Sequence, residues 1–208
     1  MNVLVTGSNG FIAKNLIQFL AEKADVNVLP YNKESTPQDL EQAVIAADWI
    51  VHLAGVNRPL NDQEFIDGNT TLTQQIADIL KSIKKTTPII LSSSIQAERD
   101  NAYGQSKLGG EQALLELHQA QANPVYICRL ANVFGKWSRP NYNSAVATFC
   151  YNVANDLPIQ INDPSAMIRL VYVDDVVETF WNILQGSFVP PQQFMIEPEY
   201  QISVGDLA

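Results

Sequence analysis

The chain has 208 residues, 46% of them hydrophobic, enough to bury one sizeable core and better suited to one domain than to two. Its 22 acidic against 13 basic residues give a formal net charge of -9, which argues against a nucleic-acid partner or an anionic membrane surface. Cys128 and Cys150 lie far apart and outside any Cys-x-x-Cys pattern, so no disulfide framework, zinc site or other metal is expected.

Met1 leads straight into a strand, residues 2–6, with no basic and apolar leader, and no apolar run reaches membrane-spanning length. A reducing cytoplasm is the expected compartment. A glycine-rich turn then opens a helix over 11–21. Strands follow at 26–29, 49–53, 88–92 and 125–129, separated by helix-length segments such as 69–83 and 103–119 with apolar residues three and four apart. This βαβ rhythm, with near-continuous apolar strands, predicts an α/β chain with a doubly wound parallel sheet, the Rossmann fold. After Arg129 a Gly, Pro and Asn-rich loop at 132–144 precedes a helix at 145–155, a strand at 168–173, a helix at 174–184 and a short strand at 194–196. Residues 1–130 read as a dinucleotide-binding core. Residues 131–208 read as a small C-terminal substrate-binding subdomain interleaved with the last core strand and helix. Residues 204–208 look like the first turn of an unfinished helix, so a truncated domain is expected.

The turn Thr6-Gly7-Ser8-Asn9-Gly10-Phe11-Ile12-Ala13 follows a strand and opens a helix at the start of a βαβ unit. Gly7 permits the tight turn, Gly10 lets the backbone approach a pyrophosphate, and the free N–H groups of the helix start attract its charge. Asn9, Phe11 and Ile12 complete the cofactor cradle. A site that prefers NAD usually places a carboxylate at the end of the second strand, where this chain reads Tyr31-Asn32-Lys33. Asn32 and Lys33 can accept a 2'-phosphate, so NADPH is the expected cofactor, with NAD as the other option.

Tyr103 and Lys107 stand one helical turn apart, after the run Ser92-Ser93-Ser94. At i, i+4 spacing the ammonium sits on the phenol's face of the helix and favours its ionised form. At about 5 Å and an effective dielectric of about 20, one charge supplies roughly 3.3 kcal/mol, most of what brings a phenol from ~10 toward neutrality. A phenol, an ammonium and a hydroxyl can run a hydride transfer. Neighbouring serines on a strand point to opposite faces, so Ser92 and Ser93 rival Ser94 for the hydroxyl role. Arg129, Asn132, Lys136, Arg139, Asn143 and Arg169 are candidates for holding an anionic ligand, with an ion pair the alternative for Arg169. His52 is assigned to the core and His118 to a helix surface.

Together, Thr6-Gly7-x-x-Gly10-Phe11-Ile12, His52-Leu53-Ala54-Gly55, the Ser94 run, Tyr103-x-x-x-Lys107 and Arg129-x-x-Asn132-Val133-Phe134-Gly135 resemble the extended short-chain dehydrogenase/reductase family. Gly55-Val56-Asn57-Arg58-Pro59, residues 92–97 and Phe134-Gly135-Lys136-Trp137 resemble in particular the bacterial capsular-polysaccharide UDP-sugar reductases. The resemblance implies a UDP-linked 4-keto, 6-deoxy N-acetylhexosamine as substrate, reduced by NADPH to the L-talose-configured sugar nucleotide. It implies that Ser94 bonds the keto oxygen, Tyr103 delivers its proton, and Lys107 binds the nicotinamide ribose. Leu53, Ala54 and Gly55 would line the cofactor and Arg58 the substrate. Asn69 would complete a proton relay, a helix cap being its other reading. A homodimer through the helices of the Asn69 and Tyr103 segments is expected. The cupin domain that follows the reductase in those enzymes has no counterpart here.

Two other functions use the same parts. A UDP-sugar 4-epimerase keeps the serine, tyrosine and lysine but retains NAD. A non-catalytic NADP-binding regulator keeps the glycine turn and can dispense with the trio. A dehydratase is disfavoured, since Ser94 is followed by Ile95-Gln96 and not by an acidic pair.

Overall fold

The computed structural model describes residues 1–59, 61 and 63–208. In chain order they form β1 (Asn2–Thr6), α1 (Phe11–Ala21), β2 (Asn27–Tyr31), α2 (Pro37–Ala46), β3 (Trp49–His52), α3 (Gln63–Phe65), a π-helical turn (Ile66–Thr71), α4 (Leu72–Ile83), β4 (Ile89–Ser94), α5 (Ala102–Gln121) and β5 (Val125–Leu130). They continue with β6 (Asn132–Phe134), α6 (Ala145–Ala154), β7 (Met167–Tyr172), α7 (Val173–Leu184), β8 (Gln193–Phe194), β9 (Tyr200–Ser203) and α8 (Val204–Leu207).

Six strands build one parallel sheet in the order β2-β1-β3-β4-β5-β8. Because side chains alternate across the pleat, each central strand feeds two cores. Val3, Val5, Val51 and Ile90 pack with Leu16 and Leu20 of α1 and Val176 and Phe180 of α7. Leu4, Ile50, Ile89 and Leu91 pack with Leu40 of α2, Ile76 and Leu80 of α4, and Leu114 and Leu117 of α5. This is the doubly wound Rossmann-like sheet expected from the βαβ rhythm. The strand order reverses direction between β1 and β3, which opens a crevice beyond their carboxyl ends.

Local chemistry sets several boundaries. Thr36 and Asp39 form a reciprocal capping box ahead of Pro37, which starts α2. Asn101 caps α5 through the Gly104 N–H at 2.8 Å. The helix expected over 69–83 begins earlier, because α3, the π-turn and α4 run on continuously, and Asn69 lies inside the π-turn and not at a cap.

The strand expected over 168–173 forms outside the core sheet. It is β7, central in a separate three-stranded sheet, parallel to β6 and antiparallel to β9. The core sheet's sixth strand is β8, whose two residues pair with Ile127 and Cys128. An apolar run shows that a strand will be covered; which sheet it joins depends on distant backbone partners, which the run does not encode. For the same reason β6 emerges from the expected loop at 132–144. Among the described residues no helix is long and apolar enough to cross a membrane.

Candidate active site

A cavity of about 1550 Å³ lies over the carboxyl ends of β1, β3, β4 and β5. Single-ligand pockets run to roughly 1,000 Å³, so this one has room for two ligands side by side. One end is walled by Gly7, Asn9, Gly10, Phe11 and Ile12 with Leu53, Ala54 and Gly55, and extends to Asn32 and Lys33. Ser94, Tyr103 and Lys107 line its middle, and Arg58, Asn132, Arg139 and Asn143 line the rest.

The glycine end has the shape a dinucleotide requires. Gly7 has φ +66°, and a Cβ there would stand 2.7 Å from the Ala54 Cα, so any side chain would close the crevice between β1 and β3. Gly10 precedes α1 with no side-chain cap, leaving the first helical N–H groups to face an incoming phosphate. Near β2, the Asn32 side-chain oxygen accepts from the Glu34 N–H at 2.8 Å, and Lys33 stays exposed. Glu34 also lines this corner. Its carboxylate lies one residue past the strand-end positions read from the sequence.

Three serines at the end of β4 have three different partners. Ser92 donates to the His52 carbonyl at 3.2 Å, and Ser93 donates to the Glu111 carboxylate. Ser94 accepts from the Gln96 N–H at 3.1 Å, and its hydroxyl is near enough to the Tyr103 phenol to favour the ionised form. Of the three serines, Ser94 is the one whose hydroxyl acts on the Tyr103 phenol. The Tyr103 ring packs against Phe65, their centroids 5.5 Å apart.

The Tyr103 titration runs against the sequence expectation. Burial pushes the phenol above its ordinary value, and only the neighbouring Ser94 hydroxyl pulls it back. Lys107 does not dominate it, because its buried ammonium is turned to the Ser92 carbonyl, which it bonds at 2.7 Å. Burial in turn lowers Lys107 to about 8, against the opposing pull of the Glu111 carboxylate. A phenol raised in this way is fully protonated at neutral pH, the state a proton donor needs.

The six cationic candidates separate into two groups. Arg129 grips Glu111 through Nε at 3.0 Å and Nη2 at 2.8 Å, and it also pairs with Glu98. Arg169 holds Glu199 at 2.6 and 2.7 Å, and Lys136 meets Asp174 at 3.0 Å. None of these three lines the cavity. Arg58 and Arg139 do line it, and among the described residues neither has a carboxylate partner. Both sit against the ring of Tyr142, at 5.6 and 5.7 Å from its centre. Lys33 lines the cofactor corner instead.

Asn69 is buried and does not line the cavity. Its side chain accepts from the Val56 N–H at 2.9 Å and donates to the Val56 carbonyl at 3.2 Å and to Ser106 Oγ at 2.9 Å. Sequence reasoning missed Tyr142, Phe65 and Glu111. Glu111 was within reach, because it stands four residues after Lys107 on the same helix face.

Residues 3–196 match the model of the NAD dependent epimerase/dehydratase family. The chain belongs to that family. Within it, the chain is 51% identical over 208 residues to the UDP-2-acetamido-2,6-beta-L-arabino-hexul-4-ose reductase of Pseudomonas aeruginosa, covering 100% of this chain and 56% of that protein. Among solved structures, the capsular polysaccharide assembling protein CapF from Staphylococcus aureus superposes with a TM-score of 0.88 at 40% identity, over 100% of this chain and 55% of that one. The UDP-glucuronic acid 4-epimerase from Bacillus cereus in complex with NAD shares the fold, with a TM-score of 0.85 at 22% identity over 98% of this chain and 81% of that one. This epimerase/dehydratase family member therefore spans about half the length of its reductase and CapF relatives.

Proposed function

We propose that the chain is the reductase part of a capsule or O-antigen precursor enzyme, which uses NADPH to reduce the 4-keto group of a UDP-linked 2-acetamido-2,6-dideoxy-4-keto-hexose. The observation that carries this reading is the neighbouring Ser94 and Tyr103 hydroxyls, set in one cavity between the glycine cradle and two arginines that have no carboxylate partner among the described residues. The 51% identity to a reductase of that substrate class supports it.

NADPH held by the turn at 7–12 and by Leu53, Ala54 and Gly55 would supply a hydride for the ketone carbon. The chain's own groups manage the oxygen. Ser94 and Tyr103 hydroxyls donate to the keto oxygen as negative charge grows there, and Tyr103 gives up its proton, so the C=O becomes CH–OH and a phenolate remains. Lys107 has N–H donors beyond the one on Ser92, which can hold a ribose hydroxyl, and its charge stabilises that phenolate. Arg58 and Arg139 hold the diphosphate, with Asn132 and Asn143 beside them. Asn69 acts as a positioning residue, since its amide is engaged on Val56 and Ser106. Lys33 and Asn32 favour the 2'-phosphate of NADPH, while Glu34 in the same corner would favour NADH. The protein works as a homodimer through α4 and α5, where Ile83 and Leu108 are exposed.

The test is a spectrophotometric assay of NADPH and NADH oxidation with a panel of UDP-4-keto sugars. NADPH oxidation that depends on a 4-keto-6-deoxy N-acetylhexosamine is the expected result. Protein that purifies with tightly held NAD and interconverts UDP-sugars without net NADPH use would instead establish an epimerase. Sedimentation at several concentrations tests the dimer.

A further inference from the structure

His52 is buried, as the core assignment anticipated, yet both of its ring nitrogens are engaged. Nδ1 meets Thr6 Oγ1 at 2.6 Å, and Nε2 meets Thr73 Oγ1 at 2.8 Å. The neighbours fix the direction of each bond. Thr73 donates its only hydroxyl proton to the Asn69 carbonyl at 2.6 Å, so toward His52 it can only accept, and Nε2 carries the proton. Nδ1 is then the acceptor, and Thr6 donates to it while accepting from the Ala54 N–H at 3.1 Å. One unbroken chain of donors and acceptors runs from Ala54 through Thr6, His52 and Thr73 to Asn69.

The two ends of this chain are the two halves of the site. Thr6 is the last residue of β1 before the Gly7 turn, and Ala54 is the backbone that Gly7 packs against. Asn69 lies in the π-turn, and its amide clamps both backbone groups of Val56 and reaches Ser106, whose hydroxyl bonds the Tyr103 carbonyl at 2.8 Å. A π-turn leaves the helix ladder out of step, and a hydroxyl donated from the next turn onto the Asn69 carbonyl is one way to hold it. A Cβ on Gly110 would stand 3.1 Å from that carbonyl oxygen, so α5 also closes on it.

We propose that His52 is a positioning residue: its neutral Nε2–H form couples the cofactor cradle at Thr6 and Ala54 to the π-turn that sets Asn69 and, through Ser106, the Tyr103 end of α5. The imidazole keeps that form across working pH, since burial and the nearby Lys107 ammonium hold it neutral down to about 3. The coupling stands on geometry alone; its catalytic consequence rests on the reductase reading above.

Three substitutions separate the two ends. Asn at 52 places an amide oxygen near Nδ1, where it can accept from Thr6. Gln places an amide N–H near Nε2, where it can donate to Thr73. Leu does neither. Hydrogen exchange in the full chain is the deciding measurement. In His52→Leu the Ala54 and Val56 amides are expected to exchange about tenfold faster or more, while His52→Asn restores Ala54 alone and His52→Gln restores Val56 alone. If Asn and Gln behave alike, or if folded His52→Leu leaves both amides protected, the coupling is refuted. With only His52 and His118 in the chain, ring-nitrogen NMR adds a second check, and an Nδ1–H form at position 52 would equally overturn it.

Turnover then reads the consequence. His52→Gln should keep kcat within about threefold of wild type, whereas His52→Asn keeps the KM for NADPH and loses about tenfold in kcat. A wild-type protein that binds NADPH but reduces no keto sugar would refute the reductase reading, and the exchange pattern would still decide the coupling.

Discussion

The two ends of the cavity are built in opposite ways. At the glycine-turn end, Thr6, His52, Asn69, Ser93, Ser94 and Lys107 are buried on strand ends and helix starts, and their hydrogen bonds leave little room to move. At the other end, Arg58, Asn132, Arg139, Tyr142 and Asn143 are exposed on loops or strand edges, and the two guanidiniums rest on one aromatic ring with no carboxylate partner among the described residues. On the proposed reading, chemistry common to the family sits in the fixed geometry of rigid elements, while the choice of sugar nucleotide is left to loops.

That contrast fails most directly at Tyr103. Tyr103→Phe keeps the ring against Phe65 and removes the proton donor, so keto-sugar reduction should fall by about 10² to 10⁴ while NADPH affinity, read by fluorescence titration, stays within about twofold. Turnover near the wild-type level would transfer the proton-donor role to another group.

Next in size is the comparison of arginines. Arg129→Ala leaves Glu111 buried beside Ser93 without its cation and should cost on the order of 3 kcal/mol in chemical denaturation, with the KM of the surviving enzyme unchanged. Arg58→Ala and Arg139→Ala should do the reverse, raising the KM for the UDP-sugar about tenfold each while leaving stability nearly intact. If all three behaved alike, the division between structural and substrate-facing cations would be wrong.

Lys107 offers a pH test. Its ammonium is present below about 8, so kcat should decline as pH rises through that value. Stability moves the other way. Below 8 the folded and unfolded chains both carry the proton, and the folded one bears the full burden of burying it. Between about 8 and the ordinary 10.5 only the unfolded chain keeps the proton, so this group makes stability rise with pH across that window. Lys107→Met should abolish turnover and flatten that part of the stability profile. The smallest effect is expected at the exposed Lys33, where Lys33→Ala should raise the KM for NADPH a few fold, about 1 kcal/mol, and leave that for NADH unchanged.

The sequence by itself determined the sheet, the glycine turn and the Tyr103–Lys107 pair, because each is local: alternating apolar strands, a turn that only glycine fits, and two side chains one helical turn apart. It also placed Arg58, Asn132, Arg139 and Asn143, which the fold brings to the cavity. Only the tertiary structure decided which serine meets Tyr103, that burial outweighs Lys107 in setting the phenol, and that Arg129, Lys136 and Arg169 are held by Glu111, Asp174 and Glu199. It alone turned His52 from a core residue into the link between two halves of a site. The physical reason is shared by all of these: hydrogen-bond partners, ion pairs and desolvation depend on atoms brought together from distant parts of the chain, and a residue's neighbours in sequence do not specify them.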